Sequence, residues 1–400
     1  MKRKKTRRQP VIVGVADVPL QDGRVADGAT VLQIQARAAK DALDEAGLRM
    51  SDVDGLLTAG LWGVPGPGHL ITMTLGEYLG ITPRFMDGTN LGGSSFEAHV
   101  AHASLAREQG YCDVALIVYG STQKSERSRS LGGRPPVFNM QFESPFGLPS
   151  PVGAYAMAAM RHMHEFGTTA PMLAEVAVSA RKWAMLNPAA TKREPLTHHQ
   201  ALTSPMISDP LRLNDCCLVT DGGGAIVLTT AERAADLKTK PVYVRGYGEA
   251  QTHWTISQMP DLTETCATIS GKAALRMAGV QHHEIDVVEV YDSFTITVIL
   301  TLESLGFCKK GEGGLFMMGG RTAPGGEFPL NTNGGGLSYA HPGMYGIFPL
   351  IEAARQLRGT CGKRQVRKGG KKTGPLPEIA LAHGTGGVLS SCVTCVLSNS

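Results

Sequence analysis

The stretch AALRMAGVQHHEIDVVEV (273–290) holds a helix end, a glycine and a β-branched strand, and AKDALDEAGLRMSDVDGLLT (39–58) holds the same pattern. Gly47 and Gly279 stand 232 positions apart, and that spacing also pairs Leu43 with Leu275 and Asp54 with Asp286. A fixed offset between two such runs marks internal duplication. The helix before Gly359 likewise parallels the helix before Gly110. Each copy alternates helix with strand, which predicts an α/β chain with two sheets and shared layers of helices.

Working outward, VIVGVAD (11–17) reads as a buried first strand. Residues 31–47 place Leu32, Ala36, Ala39, Leu43 and Ala46 on one helical face, with Gly47 as C-cap. Residues 53–59 and 113–121 read as strands, and 86–110 as a glycine turn followed by a helix with serines at its start. DGGGAIVL (221–228) reads as a glycine turn and then a buried strand. Between 122 and 208 the character changes, with Pro135–Pro136, several methionines, MRHMHEFGTT and VSARKWAMLNP. The expected organisation is a basic tail (1–10), an N-terminal half (11–121 with 209–235), an inserted, partly helical loop subdomain (122–208) and a C-terminal half (240–400).

Composition narrows the function. Of the 400 residues, 42% are hydrophobic and 18% charged, as in a soluble globular enzyme. No run of 18 apolar residues predicts a membrane span. The start, MKRKKTRRQP, reads as a solvated tail, because the apolar stretch after it is too short for a signal peptide. That tail and KRQVRKGGKK (363–372) account for most of the net charge of +4. Neither carries interleaved aromatics or a recognition motif, so nucleic acid is not an expected partner. The eight cysteines are scattered, which suits a reducing cytoplasm rather than a disulfide framework. Cys392 and Cys395 sit in a strand pattern and face opposite sides, so no metal site is expected there.

The chemistry concentrates in NTNGGGLSYAHPGMYG (331–346). Gly334, Gly335 and Gly336 let backbone approach backbone or ligand. His341 precedes Pro342 and a segment, YGIFPLIEAARQLRG, that reads as an amphipathic helix. Proline is tolerated at a helix start, so His341 is expected at or just before a helix N-terminus, where free N–H groups favour negative charge. A titratable base beside such a backbone suits an enolate or oxyanion site. The duplication sets the GGSS turn (92–95) opposite the AHPG turn (340–343), both presenting helix N-termini to the pseudo-twofold centre.

GGSSFEAHVAHA, MRHMHEFGTT, LNDCCLVTDGGGAIVL, VEVYDSF, LGFCKKGEGG, NTNGGGLSYAHPG and AHGTGG follow one another in an order that resembles the thiolase superfamily. The likeness runs from Val11 to Leu397 and is nearest the branch of sterol-carrier-type thiolases and the thiolase-like aldolases of steroid side-chain breakdown. It implies a five-layer αβαβα fold, acyl-CoA substrates and a homodimer. It also implies a small acyl-CoA-binding partner with a zinc ribbon and an OB fold.

The departures from the family pattern carry the functional expectation. The thiolase nucleophilic cysteine falls on Gly93, where no thiolate is available. Ser94 or Ser95 could replace it only with a dedicated base; otherwise they cap the helix. Tyr291 stands where other thiolases carry asparagine or histidine, and YD-x-F resembles the aldolases. The resemblance implies proton transfer or thioester polarisation for Tyr291, and oxyanion stabilisation for His341. Asp292 either orients its neighbours or caps the following helix. His383 falls near the second catalytic cysteine of thiolases, to within one residue.

The expected catalytic residues are thus Tyr291, His341, His383 and Asp292. Gly93, Ser94, Ser95, Gly343, Tyr345 and Gly386 are expected to bind substrate, with no metal and no bound cofactor beyond the coenzyme A thioester itself. The leading expectation is a retro-aldolase acting on a β-hydroxyacyl-CoA by acid/base chemistry. The alternatives are an acyltransferase using Ser94, Ser95 or Cys308, and a non-catalytic acyl-CoA-binding subunit.

Overall fold

The computed structural model describes residues 9–60, 68–126, 141–370 and 373–400. Most of the basic tail, Pro135–Pro136 and Lys371–Lys372 lie outside the described residues. The first half runs β1 (Pro10–Asp17), α1 (Val31–Ala46), β2 (Gly55–Thr58), α2 (Ile71–Leu79), β3 (Phe85–Asp87), α3 (Ser95–Gln109) and β4 (Ala115–Ser121). Helices α4 (Val152–Phe166), α5 (Ala170–Leu186) and α6 (His198–Thr203) follow, with a hairpin of β5 (Met206–Ser208) and β6 (Leu211–Arg212). The chain returns through β7 (Gly222–Thr230), α7 (Ala231–Ala234) and β8 (Val242–Gln251). The rest is α8 (Ala267–Ala278), β9 (Val287–Val290), α9 (Thr295–Leu305), α10 (Gly313–Met317), α11 (Gly335–Ser338), α12 (Ile347–Arg358), β10 (Ile379–Gly386) and β11 (Ser391–Ser398).

Two sheets were expected, yet hydrogen bonds run through nine strands in the order β3-β2-β4-β7-β1-β8-β11-β10-β9. The halves join because β1 and β8 pair, though only through Val11 with Tyr243 and Ile12 with Val242. Outward from this narrow seam the two sides repeat. β1 is antiparallel to β7, β7 to β4, and β4 is parallel to β2. β8 is antiparallel to β11, β11 to β10, and β10 is parallel to β9. Helix α1 covers the outer face of β1, β4 and β7, and α8 that of β8 and β11. Helices α3 and α12 lie between the two half-sheets and touch strands of both, which gives five layers, αβαβα.

Local chemistry explains the repeat. Both outer helices end on left-handed glycines, Gly47 (φ 79°) and Gly279 (φ 68°). Asp54 Oδ1 accepts from Asp113 N (2.7 Å) and Val114 N (2.8 Å), clamping the start of β4 beside β2. Asp286 Oδ2 does the same for Glu378 N (2.7 Å) and Ile379 N (3.2 Å) beside β9. A side chain at Gly14 would strike the carbonyl of Ala42 on α1, and one at Gly246 the carbonyl of Ala274 on α8. These matched contacts support the division into the two halves and the insertion, which we propose as the domain organisation.

Two local expectations need correction. Glycines 222–224 form no turn but open β7, because α1 and α12 press on them: side chains at 223 and 224 would meet Ile34 and Ile351. Helix α12 has no solvent face along residues 347–354, all of which are buried, as the middle layer requires. Cys392 and Cys395 do pack into different core clusters on opposite faces of β11. No helix among the described residues is long and apolar enough to cross a membrane.

Candidate active site

The starts of α3 and α12 meet at the centre. Gly346 packs directly on the Gly93 carbonyl, so close that a side chain at 346 would overlap it. Gly92, in the left-handed region (φ 64°), turns the chain into α3, and a side chain there would fall 2.8 Å from Gly387 N. Ser94 and Ser95 are buried and make no N-cap bond, contrary to the capping expectation. Ser95 Oγ instead accepts from Leu91 N (2.9 Å) and donates to Gly92 O (2.7 Å), closing the turn on itself. Ser94 Oγ bonds Leu91 O (3.0 Å) and Ser391 Oγ (2.9 Å), tying the turn to β11. Among the described residues, neither serine bonds a base.

Tyr291 follows the last residue of β9. Its N–H donates to His383 O (2.9 Å), and the Asn331 side chain accepts from Val290 N (2.7 Å) just before it. The ring then lies where a side chain at Gly93 would stand: a Cβ there would be 2.8 Å from Tyr291 Cζ and 2.5 Å from Thr385 O. A Cβ at 93 and the Tyr291 ring in this position do not fit together unless one of them moves. The Tyr291 hydroxyl lies 2.8 Å from His341 Nε2 and 3.5 Å from Gly343 O, with the two rings edge-to-face at 5.5 Å. Both residues are buried.

His341 does not stand at a helix N-terminus. Helix α12 starts six residues later, because Gly343 adopts φ 93° and turns the chain away. The His341 backbone is held on both sides by Thr220, whose hydroxyl accepts from His341 N (3.0 Å) and whose N–H donates to His341 O (3.3 Å). Tyr345 is also buried, edge-on to Tyr291 at 5.6 Å, and donates to Asn333 Oδ1 (2.8 Å). Burial pushes its phenol well above the ordinary range.

The three glycines do form a tight turn, the single-turn helix α11, with Gly334 (φ 105°) and Gly335 (φ 65°) left-handed. Asp292 fills the space beneath it: a side chain at 335 would collide with its carboxylate. Its oxygens accept from Gly336 N (2.6 Å) and Leu337 N (3.3 Å). So Asp292 orients the turn that leads to His341 and does not cap the helix after it. Burial raises its pKa to about 7 against the stabilising pull of those N–H groups.

His383 is misplaced by the sequence reading. Ala382 and Gly384 face the centre, so the strand alternation turns His383 to the other face of β10. There its Nδ1 lies 2.9 Å from Thr394 Oγ1, which in turn bonds Ser270 of α8 (3.0 Å). Burial drops its pKa to about 3, so it stays neutral. Gly386 is taken up by packing too, since a side chain there would overlap the Leu91 carbonyl.

Glu289 and Glu97 are buried acids that the sequence pattern does not single out. Glu289 of β9 accepts from Thr332 N (3.1 Å) and Oγ1 (2.6 Å) beneath the loop, next to the Glu352–Arg364 ion pair (2.8 Å). Burial and the nearby Glu352 charge raise its pKa well above the usual range. Glu97 of α3 is fully buried at the centre. A glutamate in a helix or strand is ordinarily exposed; the middle-layer position of α3 and the pairing of β9 bury these two.

Comparison with known proteins agrees with this geometry. A family model described as "Thiolase C-terminal domain-like" matches residues 248–399. The chain is 33% identical over 370 residues to the 17-hydroxy-3-oxo-4-pregnene-20-carboxyl-CoA lyase of Mycobacterium tuberculosis, covering 88% of this chain and 92% of that one. It is also 33% identical over 369 residues to an acetyl-CoA acetyltransferase of Methanothermobacter thermautotrophicus, covering 89% and 91%. Among solved structures it is similar to the "Ltp2-ChsH2(DUF35) aldolase", with a TM-score of 0.85 and 29% identity over 98% of both chains. With such relatives along nearly its whole length, the chain belongs to the thiolase superfamily, among that family's enzymes of carbon–carbon bond chemistry.

Proposed function

We propose that this protein is a thiolase-like retro-aldolase that splits the Cα–Cβ bond of a β-hydroxyacyl-CoA without an acyl-enzyme. The observation that carries the reading is the Tyr291 ring in the side-chain space of residue 93, its hydroxyl 2.8 Å from His341 Nε2. A thiolase needs a nucleophile at that point, whereas a retro-aldol needs a base for the β-hydroxyl and an acid for the carbon released. Here His341 takes the proton through the Tyr291 hydroxyl, the Cα–Cβ electrons pass to the thioester as an enolate, and a ketone or aldehyde departs. Asp292 positions the loop that holds His341. The bonding of Ser94 and Ser95 within the turn argues against the acyltransferase reading.

An apolar cavity of about 500 Å³, lined by Phe142, Phe146, Leu148, Met157, Met160 and Ile256, lies beside α4. Tyr155 of the same helix packs its ring on Phe294 at 4.4 Å, three residues after Tyr291. This supports a bulky, apolar acyl group. A small acyl-CoA-binding partner is proposed from the likeness to an aldolase named together with a DUF35 protein. A homodimer is supported by the edge strand β3, beside which Met86, Leu105 and Tyr111 are exposed.

The test is product analysis with a panel of β-hydroxyacyl-CoA thioesters, alongside intact-protein mass spectrometry. The expected result is a shortened acyl-CoA plus a carbonyl product, with no covalent adduct. Tyr291→Phe and His341→Ala should each cut the rate by about a hundredfold or more while melting near the wild-type temperature. Full activity in both variants, or an acyl adduct on the wild type, would sink the proposal.

A further inference from the structure

Glu97 sits four residues after Gly93, at the start of α3, and has no solvent exposure. Among the described residues, no other residue hydrogen-bonds its carboxyl oxygens. Gly346 and Gly384 pack directly against it. A Cβ built on Gly384 would fall 2.5 Å from Glu97 Cδ, and one built on Gly346 would fall 2.5 Å from Glu97 Oε2. The carboxyl therefore fills the space of a side chain at 384, just as the Tyr291 ring fills that of a side chain at 93. The thiolase cysteines fall at 93 and beside 383, and of residues 383 and 384 the glycine is the one that faces the centre. Two absent side chains are thus replaced in space by two others from different segments.

Packing gives no reason for a glutamate here. An apolar side chain of similar size would fill the volume without the desolvation cost of two buried carboxyl oxygens. Burial keeps the proton on Glu97 far above the usual carboxylate range. The titratable group facing it from β11, Cys395, donates to the Glu97 main-chain carbonyl (3.6 Å), and burial pushes that thiol up as well. An uncharged acid is therefore stored at the centre.

We propose that Glu97 is the acid that protonates Cα, a step that rests on the retro-aldolase reading for its place in turnover. When the Cα–Cβ bond breaks, its electron pair becomes the enolate. Cα then takes the Glu97 proton, and the enolate electrons form the new C–H bond. The carboxylate left behind recovers a proton from the Tyr291–His341 pair, which has removed one from the β-hydroxyl. No proton is gained or lost overall, and no other reactant enters.

The experiment isolates the Cα step. The full chain is incubated in D2O with acetyl-CoA or propionyl-CoA, and deuterium at Cα is followed by mass spectrometry. Wild type should exchange, Glu97→Gln should exchange about a hundredfold more slowly or worse, and His383→Gln, on the other face of β10 against Thr394, should exchange like wild type. Glu97→Leu should also lose exchange yet melt no lower than wild type. Wild-type exchange in Glu97→Gln, no exchange of either thioester by the wild type, or a Glu97→Leu chain melting well below it would each overturn the assignment. Exchange lost in Glu97→Gln, with cleavage undiminished in Tyr291→Phe, would instead remove the lyase reading and leave Glu97 in its role.

Discussion

The outer helix contacts of the two halves are copies of each other, whereas the turns that meet at the centre are not. Gly14 against Ala42 and Gly246 against Ala274 repeat the same close approach, and Asp54 and Asp286 make the same backbone clamp. At the centre, one half brings a serine-stitched turn and the other a glycine turn seated on Asp292. The difference shows where a duplicated chain is constrained. An outer helix must lie flat on its half-sheet in both copies, which only one geometry satisfies. The centre needs only two backbones that touch, as Gly93 and Gly346 do, and leaves the neighbouring side chains to diverge.

The largest effect should come from breaking the centre itself. Gly93→Cys drives a side chain into the Tyr291 ring and the Thr385 carbonyl. Cleavage should fall by about a hundredfold or more, with a lowered melting temperature. The double variant Gly93→Cys/Tyr291→Asn should recover part of the lost stability, since the Thr385 carbonyl stays close, and yield an acyl adduct with acetyl-CoA, seen by intact mass. A stable, active single variant would show that the two side chains do not compete.

Next comes a pH effect confined to the centre. Asp292 keeps its proton up to about 7 because burial outweighs its bonds to Gly336 and Leu337. The folded chain thus binds this proton more tightly than the unfolded chain does, and stability falls as pH rises from about 4 to about 7. Asp292→Asn removes that slope, at most about 1.4 kcal/mol per pH unit. The melting-temperature gap between variant and wild type should widen across that window and level off above it. A constant gap would show that Asp292 titrates normally.

The smallest effects should come as a matched pair. Gly14→Ala and Gly246→Ala should each destabilise the chain by about 1–3 kcal/mol through overpacking, and by similar amounts in denaturant titrations. Unequal losses would show that the outer contacts have diverged as the centre has.

Much of this was legible in the sequence because it rests on local rules. Capping glycines 47, 110, 279 and 359 end their helices as read, and the 232-residue spacing announced the repeat. The same spacing joins Gly14 to Gly246, a signal that was present and not used. The glycines at 222–224 resembled a turn because sequence does not reveal a helix pressing on a strand. His383 and Gly384 could be told apart only through strand parity, which needs the register with β9 and β11. Glu97 was hidden for another reason: a glutamate in the first turn of a helix is ordinarily favourable to the dipole and exposed. Only a helix covered on both sides makes it exceptional.

The shared middle layer has a consequence for how the chain is made. The inner face of β1 and β7 is covered partly by α12, which the ribosome delivers more than a hundred residues after β7. At typical synthesis rates that interval is on the order of ten seconds. Throughout it the nascent N-terminal half presents the part of its apolar sheet that α3 leaves open, a surface suited to holdase chaperones. Stalling translation before residue 347 should therefore leave a chaperone-bound, protease-sensitive chain, whereas stalling after α12 has left the exit tunnel should not.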